Sequence, residues 1–408
     1  MMLDEALESA DRLARPDGSD FPLDQPWWRQ SLAHGAIGIV LLHTELAAAG
    51  LRPWQRVHDW LDVVNRGPVT SGASTSLFYG APALAFSLAS AASVLPGSYG
   101  GALAALDARI SRDARSRVAA ARTRMRAGDL AALAEFDTLR GLAGVGAYLL
   151  RREPAGDGLR EILEYLVDLT EPVNDGADTL PGWWTLTAPS GRPDPVDFPG
   201  GHGNVGLAHG VCGPLALLGL AAVQGVTVRR HLEAVAGICA WLDFWRADTD
   251  TGLAWPYLVR RTDHKGGHAR PRPGSAGRPP SWCYGTAGVA RAQQLAALAT
   301  GDQDRRRDAE GALINAVTDP ARRGATIDPS LCHGHAGLAR IAARAAADAS
   351  EPEATRLRER ASRMLAATEL GSATEPGLLE GAAGVILSAL APVTASPLTG
   401  WDRCLLIA

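Results

Sequence analysis

Phe and Tyr are scarce in this chain of 408 residues, six of each, although hydrophobic residues make up 46% of it. A core built mainly from Ala and Leu favours closely packed helices over aromatic-rich sheets. Cysteine is also sparse: Cys212, Cys239, Cys283, Cys332 and Cys404 make five, an odd number. That excludes a disulfide framework as the expected source of stability and leaves thiols or metal ligands in a reducing compartment. A net charge of −4 with no long basic block excludes the electrostatic footprint of a nucleic-acid binder. The start, Met1-Met2-Leu3-Asp4-Glu5-Ala6, lacks a basic segment followed by an apolar run, so it does not read as a secretory signal. A cytoplasmic location is expected. One uncharged run, 206–228 apart from His209, is long enough to suggest a membrane span. It carries Gly206, Gly210, Gly213 and Pro214 near its start, so a buried helix entered through a glycine-rich turn is expected instead, and no integral membrane protein.

What the chain does have is a repeated unit. Gly-x-x-Gly or a close variant, followed by about ten mostly apolar residues, occurs seven times. The copies start at Gly35, Gly80, Gly141, Gly210, Gly285, Gly334 and Gly381, and the second is degenerate, with Ala83 in place of the last glycine. Segments such as 39–47 and 338–345 read as helices with a wide apolar face. Between them lie amphipathic stretches, 53–64, 159–169, 228–243, 303–317 and 353–367, whose Arg and Glu content suits a solvent-facing layer. Inner and outer helices alternating seven times describe an all-α fold, an α/α toroid, in which each repeat buries its apolar face against its neighbours. A single domain, 1–408, then accounts for the whole length. Glycines at the inner-helix heads allow close backbone approach, and the helix N-termini gathered there would favour an anion or thiolate. Tight packing alone also explains a Gly-x-x-Gly turn.

Two Pro- and Gly-rich stretches interrupt the repeats. Residues 183–201 lead into the His209 turn, and residues 262–280, which are also basic, lead into Cys283. Each could form a rim or lid, and the second could equally be an irregular surface insertion.

The chemistry gathers at the glycine turns. Cys283, in Trp282-Cys283-Tyr284-Gly285, and the adjacent pair Cys332-His333 supply two thiolates and an imidazole, a set that suits a zinc with one position open. Core cysteines are the competing reading, and His335 is a rival ligand. His209 stands at the equivalent place one repeat before Cys283, where a histidine beside a metal could take or give a proton near neutral pH. Asp137, four residues before its glycine, could orient that histidine or serve as a helix N-cap. Tyr284 could donate a hydrogen bond to a developing oxyanion or simply pack. Cys212, Cys239 and Cys404 read as core.

Gly206-Leu207-Ala208-His209-Gly210-Val211-Cys212-Gly213, Trp282-Cys283-Tyr284-Gly285, Cys332-His333-Gly334 and the ending Trp401-Asp402-Arg403-Cys404-Leu405-Leu406 resemble the lanthionine synthetase C family, the cyclases of lanthipeptide biosynthesis. With the seven turns, the resemblance covers essentially the whole chain. It implies a zinc held by Cys283, Cys332 and His333, a catalytic His209 and a supporting Asp137. Family members often carry an arginine shortly before Trp-Cys-Tyr-Gly. Here Arg278 is the nearest candidate, set apart by Pro279 and Pro280.

The implied reaction is intramolecular addition of a precursor-peptide cysteine thiolate to dehydroalanine or dehydrobutyrine, closing a (methyl)lanthionine ring. The implied substrate is a dehydrated precursor peptide, leader plus core. No kinase or dehydratase region precedes the repeats, so a stand-alone cyclase is expected, able to act in a complex with a lanthipeptide dehydratase and transporter and to associate with a membrane only through that complex. Two other readings stay open: a zinc-dependent thiol alkyltransferase of the protein prenyltransferase type, and a thiol- or peptide-binding relative of the glutathione-binding kind.

Overall fold

The computed structural model describes residues 2–17, 21–266, 278–368, 371, 373, 375–391 and 393–408. Every copy of the glycine turn opens a helix: Ala36–Ala48, Ala81–Val94, Leu142–Arg152, Cys212–Val223, Thr286–Thr300, His335–Asp348 and Ala382–Leu390. These helices are buried on nearly all sides. In Ala36–Ala48 each residue from Ala36 to Ala47 is buried. Each Leu, Ile or Val so placed contributes about 1.5–3 kcal/mol by leaving water, and Leu41→Ala would cost about 2–5 kcal/mol. The stretches expected to face solvent are helical as well: Gln55–Val64, Asp157–Asp168, His231–Trp245, Gln303–Thr318 and Glu353–Ala366. Gln55–Val64 is representative, burying Val57, Trp60, Leu61, Val63 and Val64 while Gln55, His58 and Asp62 face water.

The chain forms two compact units, residues 1–110 with 326–404, and residues 111–325 with 405–408. In the first, His335–Asp348 packs on Glu353–Ala366, Ala36–Ala48 on Gln55–Val64, and the N-terminal helix Met2–Asp11 against Ala382–Leu390. Met2–Asp11 thus gives the last glycine-turn helix its outer partner, a pairing across the whole length of the sequence that no local pattern announces. Buried Glu45 is satisfied by the backbone N–H groups of Leu398 and Thr399, at 2.9 and 3.0 Å, and by the Thr399 hydroxyl. Asp402, fully buried, takes both ends of the Arg344 guanidinium at 2.7 and 2.6 Å.

In the second unit Cys212–Val223 lies between Leu142–Arg152 and Thr286–Thr300. A Cβ on Gly219 would stand 3.0 Å from the Leu295 carbonyl carbon, so the approach of helix to helix depends on the missing side chain. Asp157–Asp168, His231–Trp245 and Gln303–Thr318 form its outer layer. The chain end is tied down here: Trp282 Nε1 donates to Leu405 O at 2.9 Å, and Arg291 donates to Ile407 O at 3.0 and 2.8 Å.

Seven short strands, all in this unit among the described residues, were not foreseen in the helical pattern. Val173–Asp175 pairs with Asp178–Leu180 and Ala247–Thr249 with Gly252–Ala254, while His202–Asn204 lies antiparallel between Trp184–Thr185 and Leu258–Arg260. Strands of two or three residues are too short to show an alternating pattern. Of the two stretches expected as rims, 183–201 is therefore anchored at both ends by the central three-stranded sheet. The second begins with the helix Arg261–Gly266 and resumes at Arg278, and residues 267–277 lie outside the described residues. The run 206–228 contains Cys212–Val223, buried from Cys212 to Ala221, and no described helix is long and apolar enough to cross a membrane.

The glycine turn has a specific geometry. Before His335–Asp348 and Ala382–Leu390 the loop folds back over the helix end, and its carbonyls take the first N–H groups. His335, Ala336 and Gly337 donate to Asp328, Pro329 and Ser330, and Ala382, Ala383 and Gly384 donate to Glu375, Pro376 and Gly377. A Cβ at Gly337 would lie 1.9 Å from the Leu331 carbonyl oxygen, and at Gly384 1.8 Å from that of Leu378. The glycines are thus required by close backbone approach. These N–H groups, expected to be open to an anion, are instead satisfied within the turn.

Candidate functional site

Asp137 follows the one-turn helix Leu133–Phe136 and is fully buried. Its Oδ1 accepts the backbone N–H groups of Arg140 and Gly141 at 2.6 and 2.7 Å, and its Oδ2 pairs with His209 Nδ1 at 2.7 Å. One oxygen thus braces the turn before Leu142–Arg152, whose N-cap position is Gly141, and the other holds the imidazole. A carboxylate on Nδ1 favours the tautomer with its proton there and turns Nε2 outward. The His209 side chain is 15% exposed, enough to meet a reactant.

Tyr284 lies beside this pair, its ring centroid 6.3 Å from that of His209. Gly206 makes room for it, since a Cβ there would stand 2.7 Å from Tyr284 Cε1. Buried Asn204 fixes its hydroxyl. Gly206 N–H donates to Asn204 Oδ1 at 3.1 Å, which identifies the other amide atom, 2.9 Å from Tyr284 Oη, as the donor Nδ2. The phenol oxygen thus accepts from Asn204, and its own O–H remains available to the site. Burial raises the Tyr284 pKa well above the ordinary tyrosine range, against the smaller opposing effect of the Asn204 hydrogen bond, so the group stays a neutral donor.

Arg278 does not reach His209 through any described contact. Its guanidinium carbon lies 5.0 Å from the Tyr257 ring centroid, and the Tyr257 ring lies 5.5 Å from that of Tyr284. Tyr257 donates to Pro279 O at 2.6 Å, and burial pushes its pKa up to about 12. The exposed Arg278 thus stacks on the outer member of an aromatic pair whose inner member is Tyr284.

Cys283, Cys332 and His333 place one ligand atom each within 4.8 Å of one another. Ligands about 2.3 Å from a tetrahedral zinc stand roughly 3.8 Å apart, so the set is spaced closely enough to hold a metal ion. Two sulfurs and an imidazole nitrogen are also the donor chemistry zinc prefers over calcium or magnesium. His335 is not in this cluster. Cys212 and Cys404 are fully buried and Cys239 nearly so, as core thiols; burial raises the pKa of Cys212, and that of Cys239 to about 11.

Reading the sequence left out Asn204 and Asp328. Asp328 Oδ1 accepts Ser330 N–H at 2.7 Å, and Oδ2 stands 3.2 Å from His333 Nε2. A signal for both exists in retrospect: each is an Asn or Asp six residues before the first glycine of its turn, Gly210 or Gly334. The side chain folds over that glycine, where a Cβ would lie 2.6 Å from Asn204 Oδ1 or 2.4 Å from Asp328 Oδ1.

Helices led by backbone-capped glycine turns and a Cys2His cluster define a class of α/α-toroid protein able to bind a metal ion. The model of the lanthionine synthetase C-like proteins matches residues 26–406, and the chain belongs to that family. Among solved structures, the nisin cyclase aligns with a TM-score of 0.77 at 20% identity, covering 100% of this chain and 96% of that one. At that identity the likeness is one of fold, the α/α toroid. An inactive variant of an alpha-1,6-mannanase of Salegentibacter sp. HEL1_6 in complex with alpha-1,6-mannotetrose aligns at a TM-score of 0.40 and 11% identity, covering 100% of this chain and 97% of that one, too distant to carry an argument. No curated protein matches the chain.

Proposed function

We propose that this protein is a zinc-dependent lanthionine cyclase, a single α/α-toroid domain acting on a dehydrated precursor peptide. The observation that carries the reading is the pairing of a buried carboxylate with an outward-facing imidazole, Asp137 with His209, in a chain that also groups Cys283, Cys332 and His333. Membership of the lanthionine synthetase C-like family and the nisin-cyclase fold support it.

Cys283, Cys332 and His333 would hold the zinc. When bound, zinc lowers the pKa of a thiol taking its fourth position from about 8.5, so that thiolate is present at neutral pH. The peptide sulfur bonds to the β-carbon of dehydroalanine or dehydrobutyrine, and the π pair moves onto the α-carbon and its carbonyl oxygen. His209 Nε2 delivers a proton to the α-carbon. The thiol has given up one proton and the α-carbon has gained one, so the ring has the atoms of the open peptide. Asp137 compensates the charge on the protonated ring and fixes its direction. The Tyr284 O–H, freed by Asn204, donates to the oxygen on which negative charge builds.

The test is to incubate the purified protein with a dehydrated cysteine-containing peptide and count remaining free thiols by alkylation and mass spectrometry. Loss of one alkylation per ring at unchanged peptide mass is the expected result. A protein that holds thiols reversibly, as a glutathione-binding relative would, leaves every thiol alkylatable after denaturation and sinks the reading.

A further inference from the structure

The Asp328–His333 pair takes no part in the proposed reaction, yet its carboxylate is held in place by its own loop. Asp328 is held by its own loop: Oδ1 accepts Ser330 N–H, and its backbone carbonyl takes the His335 N–H at 3.0 Å. Oδ2 is thereby fixed in direction and meets His333 Nε2 at 3.2 Å. The residues between them, Pro329, Ser330, Leu331 and Cys332, form the folded-back loop itself, and Ser330 Oγ accepts His333 N–H at 3.3 Å. Both the main chain and the ring of His333 are therefore set by the stretch that delivers Cys332.

We infer that Asp328 is a positioning residue for the metal centre. By accepting the proton of His333 Nε2, it selects the tautomer whose Nδ1 carries a lone pair and turns that nitrogen to the metal. A neutral ligating imidazole coordinates through one nitrogen and donates from the other, and a carboxylate acceptor both orients the ring and makes the ligand more basic. The inference rests on the reading of Cys283, Cys332 and His333 as zinc ligands. It goes beyond that reading by assigning the ligating nitrogen and the residue that selects it. Such partners are typically worth 10–100-fold in metal affinity.

The experiment measures zinc affinity of the full chain, stripped with chelator and titrated against a competing chromophoric indicator. Asp328→Asn keeps the Oδ1 acceptor for Ser330 N–H and replaces the acceptor facing Nε2 with a donor. Zinc should still bind one per chain, with affinity reduced 10–100-fold and the melting temperature of the metal-free protein unchanged. The same substitution in a His333→Cys background separates orientation from loop bracing, because a thiolate ligand has no tautomer to select. There the loss should shrink to less than threefold. An Asp328→Asn affinity within twofold of the parent overturns the inference while leaving the zinc site intact, and an equal loss in both backgrounds assigns Asp328 to the loop alone. If the parent binds no zinc, the reading of the ligands falls and the inference with it.

Discussion

Asp137–His209 and Asp328–His333 are built alike and oriented oppositely. In each, one carboxylate oxygen is spent on backbone N–H groups of its own loop and the other holds an imidazole. Asp137 takes Nδ1, at 2.7 Å, and is fully buried, while Asp328 takes Nε2, at 3.2 Å, and is 33% exposed. Nδ1 lies next to the histidine's own main chain and Nε2 at the far end of the ring. Holding His209 by Nδ1 presents the far nitrogen, which suits delivery of a proton to a substrate atom. Holding His333 by Nε2 presents the near nitrogen beside the adjacent Cys332, which suits a fixed ligand. One local device thus recurs, and the two copies differ in which ring nitrogen the carboxylate meets; the two chemistries are those proposed for them.

Separating the two pairs by substitution tests this contrast most strongly. His209→Ala should reduce ring closure by roughly 10²–10⁴-fold, the usual range for a general acid–base group, with zinc content measured by elemental analysis unchanged. Cys283→Ala should instead abolish zinc binding. If His209→Ala also lost the metal, the division of labour between the pairs would be wrong. A smaller effect is expected for Asp137→Asn, which keeps the acceptor for Arg140 and Gly141 N–H and turns a donor toward His209 Nδ1. Cyclisation should fall roughly 10²-fold, read as a change in kcat with KM and melting temperature nearly constant.

Two other histidines sharpen the comparison because they face carbonyls instead of carboxylates. His43 Nε2 meets Leu13 O at 2.7 Å and His202 Nε2 meets Thr187 O at 3.2 Å, and burial lowers both pKa values to about 4. In the unfolded chain they titrate near 6.5, so on acidification the unfolded state takes up protons first. Their contribution is complete above about pH 6.5 and is lost as the pH falls toward 4, with a ceiling on the order of 3 kcal/mol each. Urea denaturation at pH 7.0 and 4.5 should show this drop, and His43→Gln should flatten it. The smallest effect is expected at Asn204→Asp, which keeps the acceptor for Gly206 N–H and draws the Tyr284 O–H away from the site. About a tenfold fall in turnover is expected, near the 1.4 kcal/mol of one reoriented hydrogen bond. A variant as active as the parent would remove Tyr284 as a donor.

Much of the framework could be read along the chain because each repeat announces itself locally. Gly337 and Gly384 are required where a loop carbonyl comes within a Cβ's reach, so the glycine spacing marks a real turn and the apolar run after it a real helix. The residues of the Cys283, Cys332 and His333 cluster were legible for the same reason, standing at fixed places in those turns. Arg278 was less so, since its stacking on Tyr257 joins positions 21 residues apart with no shared pattern. The short strands and the outer helix Met2–Asp11 were hidden likewise, the first by brevity and the second by the length of chain between partners.

By itself the sequence determined the all-helical repeat, the seven turns and the residue types available for chemistry, because these depend on spacing and on what a backbone can tolerate over a few residues. Only the tertiary structure decided which atom of each side chain is spent on the loop and which meets a neighbouring imidazole or phenol. That Asn204 donates to Tyr284, that Asp137 meets Nδ1 and that Asp328 meets Nε2 are matters of direction. Direction is set where loops distant in sequence fold over one another, and residue type does not encode it.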